Sequence, residues 1–250
     1  MDGGAAPPTQ PPRPAFYAAA PGHWRDWWTL LHPPYTAWHL AYVVIGASLV
    51  PHVNLTRLIA AVLAFFLAVG VAAHALDELH GRPLRTRIPS PVLVASAVVA
   101  LVGAVGLGVV GVIEVGWALI PFMVAGPVVV VAYNLELFGG ALHNDATFAG
   151  AWGAFPVLAA AVAQDGRLAP ASVIAAGGAF ALSLAQRRLS TPARLLRRRT
   201  GRVEGSLTLD DGRVVALDRE VLLAPMERAL GAMAWAVVLT AAALAVARLT

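Results

Sequence analysis

Seven apolar stretches, near residues 35–51, 57–79, 91–112, 115–137, 147–164, 170–187 and 229–247, constrain this chain more than any other feature. Each has about the 17–25 residues that a helix needs to cross the hydrocarbon layer. The third and fourth are separated only around Glu114, but the 43 residues from 91 to 133 are too many for one crossing. Composition agrees: 58% of residues are hydrophobic and 13% charged, against about 45–50% and about 25% in soluble domains. The expected fold class is an all-α polytopic membrane bundle of seven transmembrane helices. Gly103, Gly106 and Gly108, with the many alanines, suit close helix packing.

The arginines set an orientation. Lysine is absent, and of the 18 basic residues only Arg57, Arg167 and Arg248 fall outside the cytoplasm if the N-terminus lies inside, leaving 15 within. Cytoplasmic loops accumulate positive charge, so the expected topology is N-terminus in and C-terminus out, in the cell membrane of a bacterium or archaeon. The loops after the second, fourth and sixth stretches then share one face. With no cysteine, disulfides, thiolate metal sites and cysteine nucleophiles are excluded. With no lysine, Schiff-base chemistry is excluded as well.

Outside the apolar stretches, residues 1–22 read as a disordered tail, the first 16 being rich in Pro, Gly and Ala. The bundle is expected over 23–250. Trp24, Trp27 and Trp28 within 23–32 suit a short interfacial helix. Residues 188–228 are expected to form an arginine-rich cytoplasmic loop. Within it, Ser206–Leu209 and Val214–Leu217 flank Asp210-Asp211-Gly212-Arg213, a pattern that predicts a small β-hairpin.

The chemistry-bearing residues gather on the expected cytoplasmic face. His74, Asp77 and Glu78 stand at i, i+3 and i+4 at the end of the second stretch, so one helix face could hold all three. Ionisable groups there are expensive and point to a site. Carboxylates with an imidazole suit a divalent ion, Mg²⁺ by the oxygen ligands, Zn or Fe by the imidazole. Arg82, Arg85 and Arg87 follow, joined by the arginines of 187–199, and guanidinium forks match phosphate oxygens. The fourth stretch closes with Tyr133, Asn134 and Glu136, then His143, Asn144 and Asp145 beyond Gly139 and Gly140. That polar loop either frames a pocket or caps the fifth helix through Asn144 or Asp145. His39 is expected to be satisfied by a neighbouring helix. The arginines lie close to the bilayer without interleaved aromatics, which argues against nucleic acid.

These motifs together resemble the UbiA superfamily of intramembrane prenyltransferases, over roughly residues 35–190. That family carries an Asn-Asp-x-x-Asp-x-x-x-Asp pattern followed by a basic segment. Here Ala73-His74-Ala75-Leu76-Asp77 is followed by Gly81-Arg82-Pro83-Leu84-Arg85-Thr86-Arg87. Asp77 keeps an acidic position, while Ala73, His74 and Gly81 stand where the asparagine and the outer aspartates would be, with Glu78 as a neighbouring carboxylate. Tyr133 and Gly153-Ala154-Phe155-Pro156 match the outline of the fourth and fifth helices. The family's second acidic motif has no counterpart, since Gln186–Arg194 contains no carboxylate, and the chain has fewer helices than family members.

The resemblance implies a membrane enzyme that ionises or transfers a prenyl group from an isoprenoid diphosphate. His74, Asp77 and Glu78 would hold the metal, and Arg82, Arg85, Arg87, Tyr133 and Asn134 would bind substrate. Asp77, Glu78, Glu136, His143 and Asp145 would be the catalytic candidates. Two alternatives stay open: a His/carboxylate metalloenzyme for hydrolysis or oxidation, and a lipid-binding or assembly protein without catalysis. Membrane lipids are expected partners in every case.

Overall fold

The computed structural model describes residues 14–20 and 22–250. Its elements in chain order are α1 (His23–Leu30), α2 (Pro33–Ser48), α3 (Leu55–Leu79), α4 (Ser90–Val115), α5 (Trp117–Asn134), α6 (Asp145–Asp165), α7 (Pro170–Arg198), β1 (Gly205–Thr208), β2 (Val214–Leu217) and α8 (Arg219–Leu249). Five of them, α3, α4, α5, α6 and α8, are long and apolar enough to cross a membrane. Helices satisfy every backbone polar group internally, which is what the hydrocarbon layer demands of a spanning segment. The exposed surface fits that solvent: α4 turns Val98, Val99, Val102 and Ile113 outward. These helices mark an integral membrane protein. The seven stretches of the sequence therefore meet five helices of spanning length and apolarity. Of the other two, α2 has only 16 residues, and α7 is polar from Gln186 onward.

Caps and small residues explain where helices start and how closely they meet. Asn54, Asn144 and Asp218 accept from the backbone N–H of Arg57, Thr147 and Val221, starting α3, α6 and α8. Gly166, at φ 70, ends α6 in the left-handed conformation and turns the chain into α7. α2 packs on α6 and α8 through Trp38, Tyr42, Val157, Ala234 and Val237. α3, α4, α5 and α6 share a second core of Val69, Leu76, Leu93, Ala97, Val130, Tyr133 and Trp152. At Gly153 the backbones of α6 and α7 meet so closely that a Cβ would lie 2.6 Å from both the Ala179 carbonyl oxygen and Ser183 Oγ. Gly153→Ala should therefore cost about 1–3 kcal/mol through overpacking, read as a lower unfolding midpoint in detergent. An unchanged midpoint would show that this contact is loose.

Two expectations are corrected. The segment 188–228 is not one loop. α7 continues to Arg198 and α8 begins at Arg219, leaving 199–218 between them. The reason is helical periodicity among the polar residues: Gln186, Ser190 and Ala193 are buried on one face, while Arg188, Thr191 and Leu195 are exposed on the other. Next, the N-terminal tail does not extend to residue 22. Residues 1–13 lie outside the described residues, but Ala15 and Ala18 are buried, and Phe16 and Tyr17 pack edge-on against Tyr35. Beyond these corrections, α3 and α6 each contain a widened segment. Phe66–Ala73 and Ala149–Ala154 are π-helical, a local widening that often accompanies functional sites.

The hairpin is present in the expected place. β1 and β2 pair antiparallel from Gly205↔Leu217 to Thr208↔Val214, and Gly212 takes the left-handed turn position at φ 82. α1 is the short tryptophan-bearing helix, with Trp24 and Trp28 exposed and Asp26 buried beneath, accepting from Arg87 N at 3.2 Å.

Candidate functional site

At the end of the bundle where α3 and α5 finish and α6 begins lies a polar cavity of about 120 Å³. α3 contributes Ala73, His74 and Asp77; α5 contributes Tyr133 and Asn134. His143, Phe148 and Trp152 come from the loop and start of α6. The far wall is α7, with Gln186, Arg187, Ser190, Arg194, Arg197 and Arg198. His32, Tyr35 and His39 enter from the start of α2, Glu227 from α8, and Tyr17 from the N-terminal segment. Both π-helical segments reach this cavity, through Ala73 and Trp152. A π turn shifts the register of the residues that follow it, here His74 and Asp77 after the first and Phe155 after the second.

Charge decides what such a cavity can hold. Four arginines line it against two carboxylates, Asp77 and Glu227. Glu227 is already taken by Arg197, which donates through Nε and Nη2. Arg187 donates to Asp145 at 3.0 Å and lies 5.3 Å over the Phe148 ring. Arg194 has no carboxylate partner among the described residues; its one hydrogen bond is a 3.4 Å contact to Thr191 Oγ1. The excess is positive, in a place where low dielectric strengthens every charge interaction.

Polar atoms without partners converge on the same cavity. Among the described residues, buried side-chain atoms lacking a hydrogen bond are His32 Nε2, Tyr133 Oη, Gln186 Oε1 and Arg219 Nε. The first three belong to residues that line the cavity. Buried polar groups are normally satisfied, so three orphans around one space mark it as a candidate site. His32 sits in the left-handed conformation at φ 48 and stacks on His74, with ring centroids 4.2 Å apart. Burial first, and the His74 ring next, hold its imidazole well below the ordinary range, so it is neutral near pH 7. Burial likewise pushes the Tyr17 hydroxyl upward, keeping it protonated.

The residues singled out in the sequence divide into two groups. His74, Asp77, Tyr133, Asn134 and His143 line the cavity. His74 Nδ1 is hydrogen-bonded to the Gly70 carbonyl at 3.0 Å, and His143 stacks on Tyr133 at 4.4 Å. The Asp77 side chain makes no hydrogen bond to another described residue, while its carbonyl accepts from His80 N at 3.1 Å. The second group stands elsewhere. Glu78 is fully buried one position past Asp77, and its carboxylate accepts from Leu84 N at 2.9 Å, Thr86 N at 2.8 Å and Thr86 Oγ1 at 2.9 Å. It organises the loop after α3 instead of facing the cavity.

Arg82 donates to the Ile88 carbonyl at 2.6 Å and to Ser90 Oγ at 2.7 Å, tying that loop to α4. Arg85 and Arg87 are exposed. The positive charge expected from this loop is supplied by α7. Glu136 is exposed on the rim, 3.8 Å from His80 and from His143. Asp145 lies outside the cavity, holding Arg187. Asn144 is the cap of α6, as one of the two expectations for that loop had it. His39 is satisfied by the Trp152 carbonyl at 2.9 Å, also as expected.

Sequence reasoning did not reach His32, Tyr17, Tyr35 or Gln186. One signal was present for the arginines: 187, 194 and 198 recur at seven and four residues, which is one helix face. Among the described residues, no group of three or more His, Asp or Glu stands together as a metal-ligand set.

Beside the polar cavity runs an apolar groove of about 770 Å³. It is lined by α3, α4, α5 and α6, including Phe65, Gly108, Phe122, Gly126 and Phe155, and Trp152 stands in the wall of both spaces. At the far end Arg57 donates to the Glu114 and Gln164 carbonyls. A cationic, partly unsatisfied head space thus adjoins an apolar space of the size that ligand pockets usually have, roughly 300–1,000 Å³.

Comparison of the chain with protein-family models, with curated proteins and with solved structures returns no match.

Proposed function

We propose that this chain is an intramembrane enzyme, similar to the UbiA superfamily, that binds an isoprenoid diphosphate and ionises or transfers its prenyl group. The observation that carries this reading is the excess of arginine over available carboxylate in the polar cavity, next to an apolar groove. A prenyl chain would lie in the groove and its diphosphate among Arg187, Arg194 and Arg198. In this reading α2 and α7 also cross the bilayer, giving seven spans, with the N-terminus and the arginine face in the cytoplasm.

The chemistry asks little of the protein beyond holding charge. When the bond between the allylic carbon and the diphosphate oxygen breaks, the electron pair leaves with the diphosphate. Arginines fixed in a water-poor site stabilise that developing charge without reorganising. Asp77 is the one lining carboxylate free of a described partner, and it suits a single Mg²⁺ whose other ligands are phosphate oxygens, the usual way this ion is held. Such an ion would add further neutralisation of the leaving group. The donor set does not suit a preformed Zn or Fe centre, because Glu78 is committed to its loop and Glu136 and Asp145 stand outside. The Trp152 and Phe155 rings would face the prenyl end and keep water from it. His32 Nε2, unpartnered in the cavity wall, would hydrogen-bond a bound ligand or acceptor.

Arg194→Ala tests the reading. Loss of one charge-assisted hydrogen-bond donor, about 1.5–3 kcal/mol, should weaken binding of geranylgeranyl diphosphate by roughly 10- to 100-fold, while geranylgeraniol binding stays as it was. Equal effects on both ligands would place the headgroup elsewhere. A non-catalytic lipid-binding role is favoured by one fact: among the described residues no cluster of carboxylates lines the cavity, only Asp77 and the paired Glu227. It predicts the same binding with no product from any acceptor.

A further inference from the structure

Part of the wall of the polar cavity comes from residues far away in sequence: Pro14, Ala15, Phe16 and Tyr17. The Tyr17 ring lies 5.3 Å from His32 and 5.6 Å from Tyr35, and Phe16 lies 6.3 Å from Tyr35. Ala18 is buried at 2% exposure. Two hydrogen bonds fasten the segment: Arg198 Nε to the Pro14 carbonyl at 3.0 Å, and Ala19 N to Thr29 Oγ1 at 3.1 Å. Side-chain packing more than hydrogen bonding therefore opposes the backbone entropy of residues 14–20, and a segment with so few backbone fastenings opens at lower cost than the core.

Arg198 is the point of conflict. Its guanidinium lines the anion cavity and also holds the Pro14 carbonyl. A phosphate oxygen is a stronger acceptor for arginine than a neutral carbonyl. With the segment in place the cavity has about 120 Å³, below the roughly 300–1,000 Å³ of most ligand pockets.

We propose that Pro14–Ala20 is a strap over the anion site, and that a diphosphate headgroup and the Pro14 carbonyl compete for Arg198, so that binding lifts the strap. The inference rests on the reading of the cavity as a diphosphate site. Tyr17, Phe16 and the Arg198 bond set how easily the site opens.

The chain has no cysteine, so Ala18→Cys in the full-length protein carries a single thiol. Its rate of reaction with a water-soluble maleimide reports the strap. The expected result is slow labelling of the protein alone, and labelling at least about tenfold faster with saturating inorganic pyrophosphate, as for a protected site that opens locally. Adding Phe16→Ala and Tyr17→Ala should make labelling fast without any ligand and raise the on-rate of pyrophosphate. Hydrogen exchange of residues 14–20 in the unsubstituted chain gives the same comparison without a new thiol.

Pyrophosphate binding, shown by titration on the same sample, with unchanged labelling and exchange would overturn the strap and leave the diphosphate site standing. If neither pyrophosphate nor geranylgeranyl diphosphate binds, even to the variant with a fast-labelling thiol, the diphosphate site itself falls and the strap has no competitor.

Discussion

Asp77→Asn is expected to abolish turnover of an isoprenoid diphosphate, by about 10²- to 10³-fold, without unfolding the protein. The size follows from losing the carboxylate that would hold Mg²⁺ on the diphosphate, and with it the cation that would neutralise the leaving group; removing one such stabilising element typically costs about 10²–10³. The fold should survive because the Asp77 side chain makes no hydrogen bond to another described residue and asparagine keeps its shape. Turnover should be measured with Mg²⁺ in excess, together with the unfolding midpoint. A fully active variant would remove Asp77 from the chemistry. An inactive variant with a lowered midpoint would make it a structural residue.

Glu78→Ala should do the reverse. The Glu78 carboxylate is completely buried and accepts three hydrogen bonds from Leu84 and Thr86. Truncation leaves those donors unsatisfied, and each buried orphan costs about 1–3 kcal/mol. The variant is expected to lose about 3 kcal/mol or more and to accumulate poorly in the membrane. Glu78→Gln should be milder, since its amide oxygen can accept some of the same bonds. Two adjacent carboxylates thus differ in kind: one shapes a loop, the other faces the cavity. Comparable stability losses for Asp77→Asn and Glu78→Ala would contradict that division.

The sequence could not have separated the two. A spacing of i, i+3 and i+4 places His74, Asp77 and Glu78 on one side of an α-helix, but within His74–Leu79 the neighbours Asp77 and Glu78 still point about 100° apart, enough to send one to the cavity and the other to the loop. The loop that follows, turning at Gly81 and Pro83, folds back so that the N–H groups of Leu84 and Thr86 meet Glu78. The same fold-back takes Arg82 into bonds with Ile88 and Ser90. Hydropathy and turn chemistry were far more legible. The apolar stretches appear as helices, five of them of spanning length, because burial in lipid depends on composition over many residues. The hairpin was readable because an Asp-Gly pair demands a left-handed position, which Gly212 supplies.

α7 was underestimated because arginines look like a solvated loop, although their spacing is helical. The role of Phe16 and Tyr17 left no trace in local pattern, since it arises from contacts with Tyr35 and His32 across the fold. Convergence was the most useful signal. Asp77, Tyr133, Asn134, His143 and the α7 arginines come from the ends of three different apolar stretches and meet in one cavity.

The most direct test of the account is calorimetric titration of the purified protein with geranylgeranyl diphosphate, pyrophosphate and geranylgeraniol in turn. The account predicts saturable binding of all three, tightest for geranylgeranyl diphosphate, because only that ligand fills the arginine cavity and the apolar groove together. No binding of the diphosphates, or binding of geranylgeraniol as tight as that of geranylgeranyl diphosphate, would contradict it.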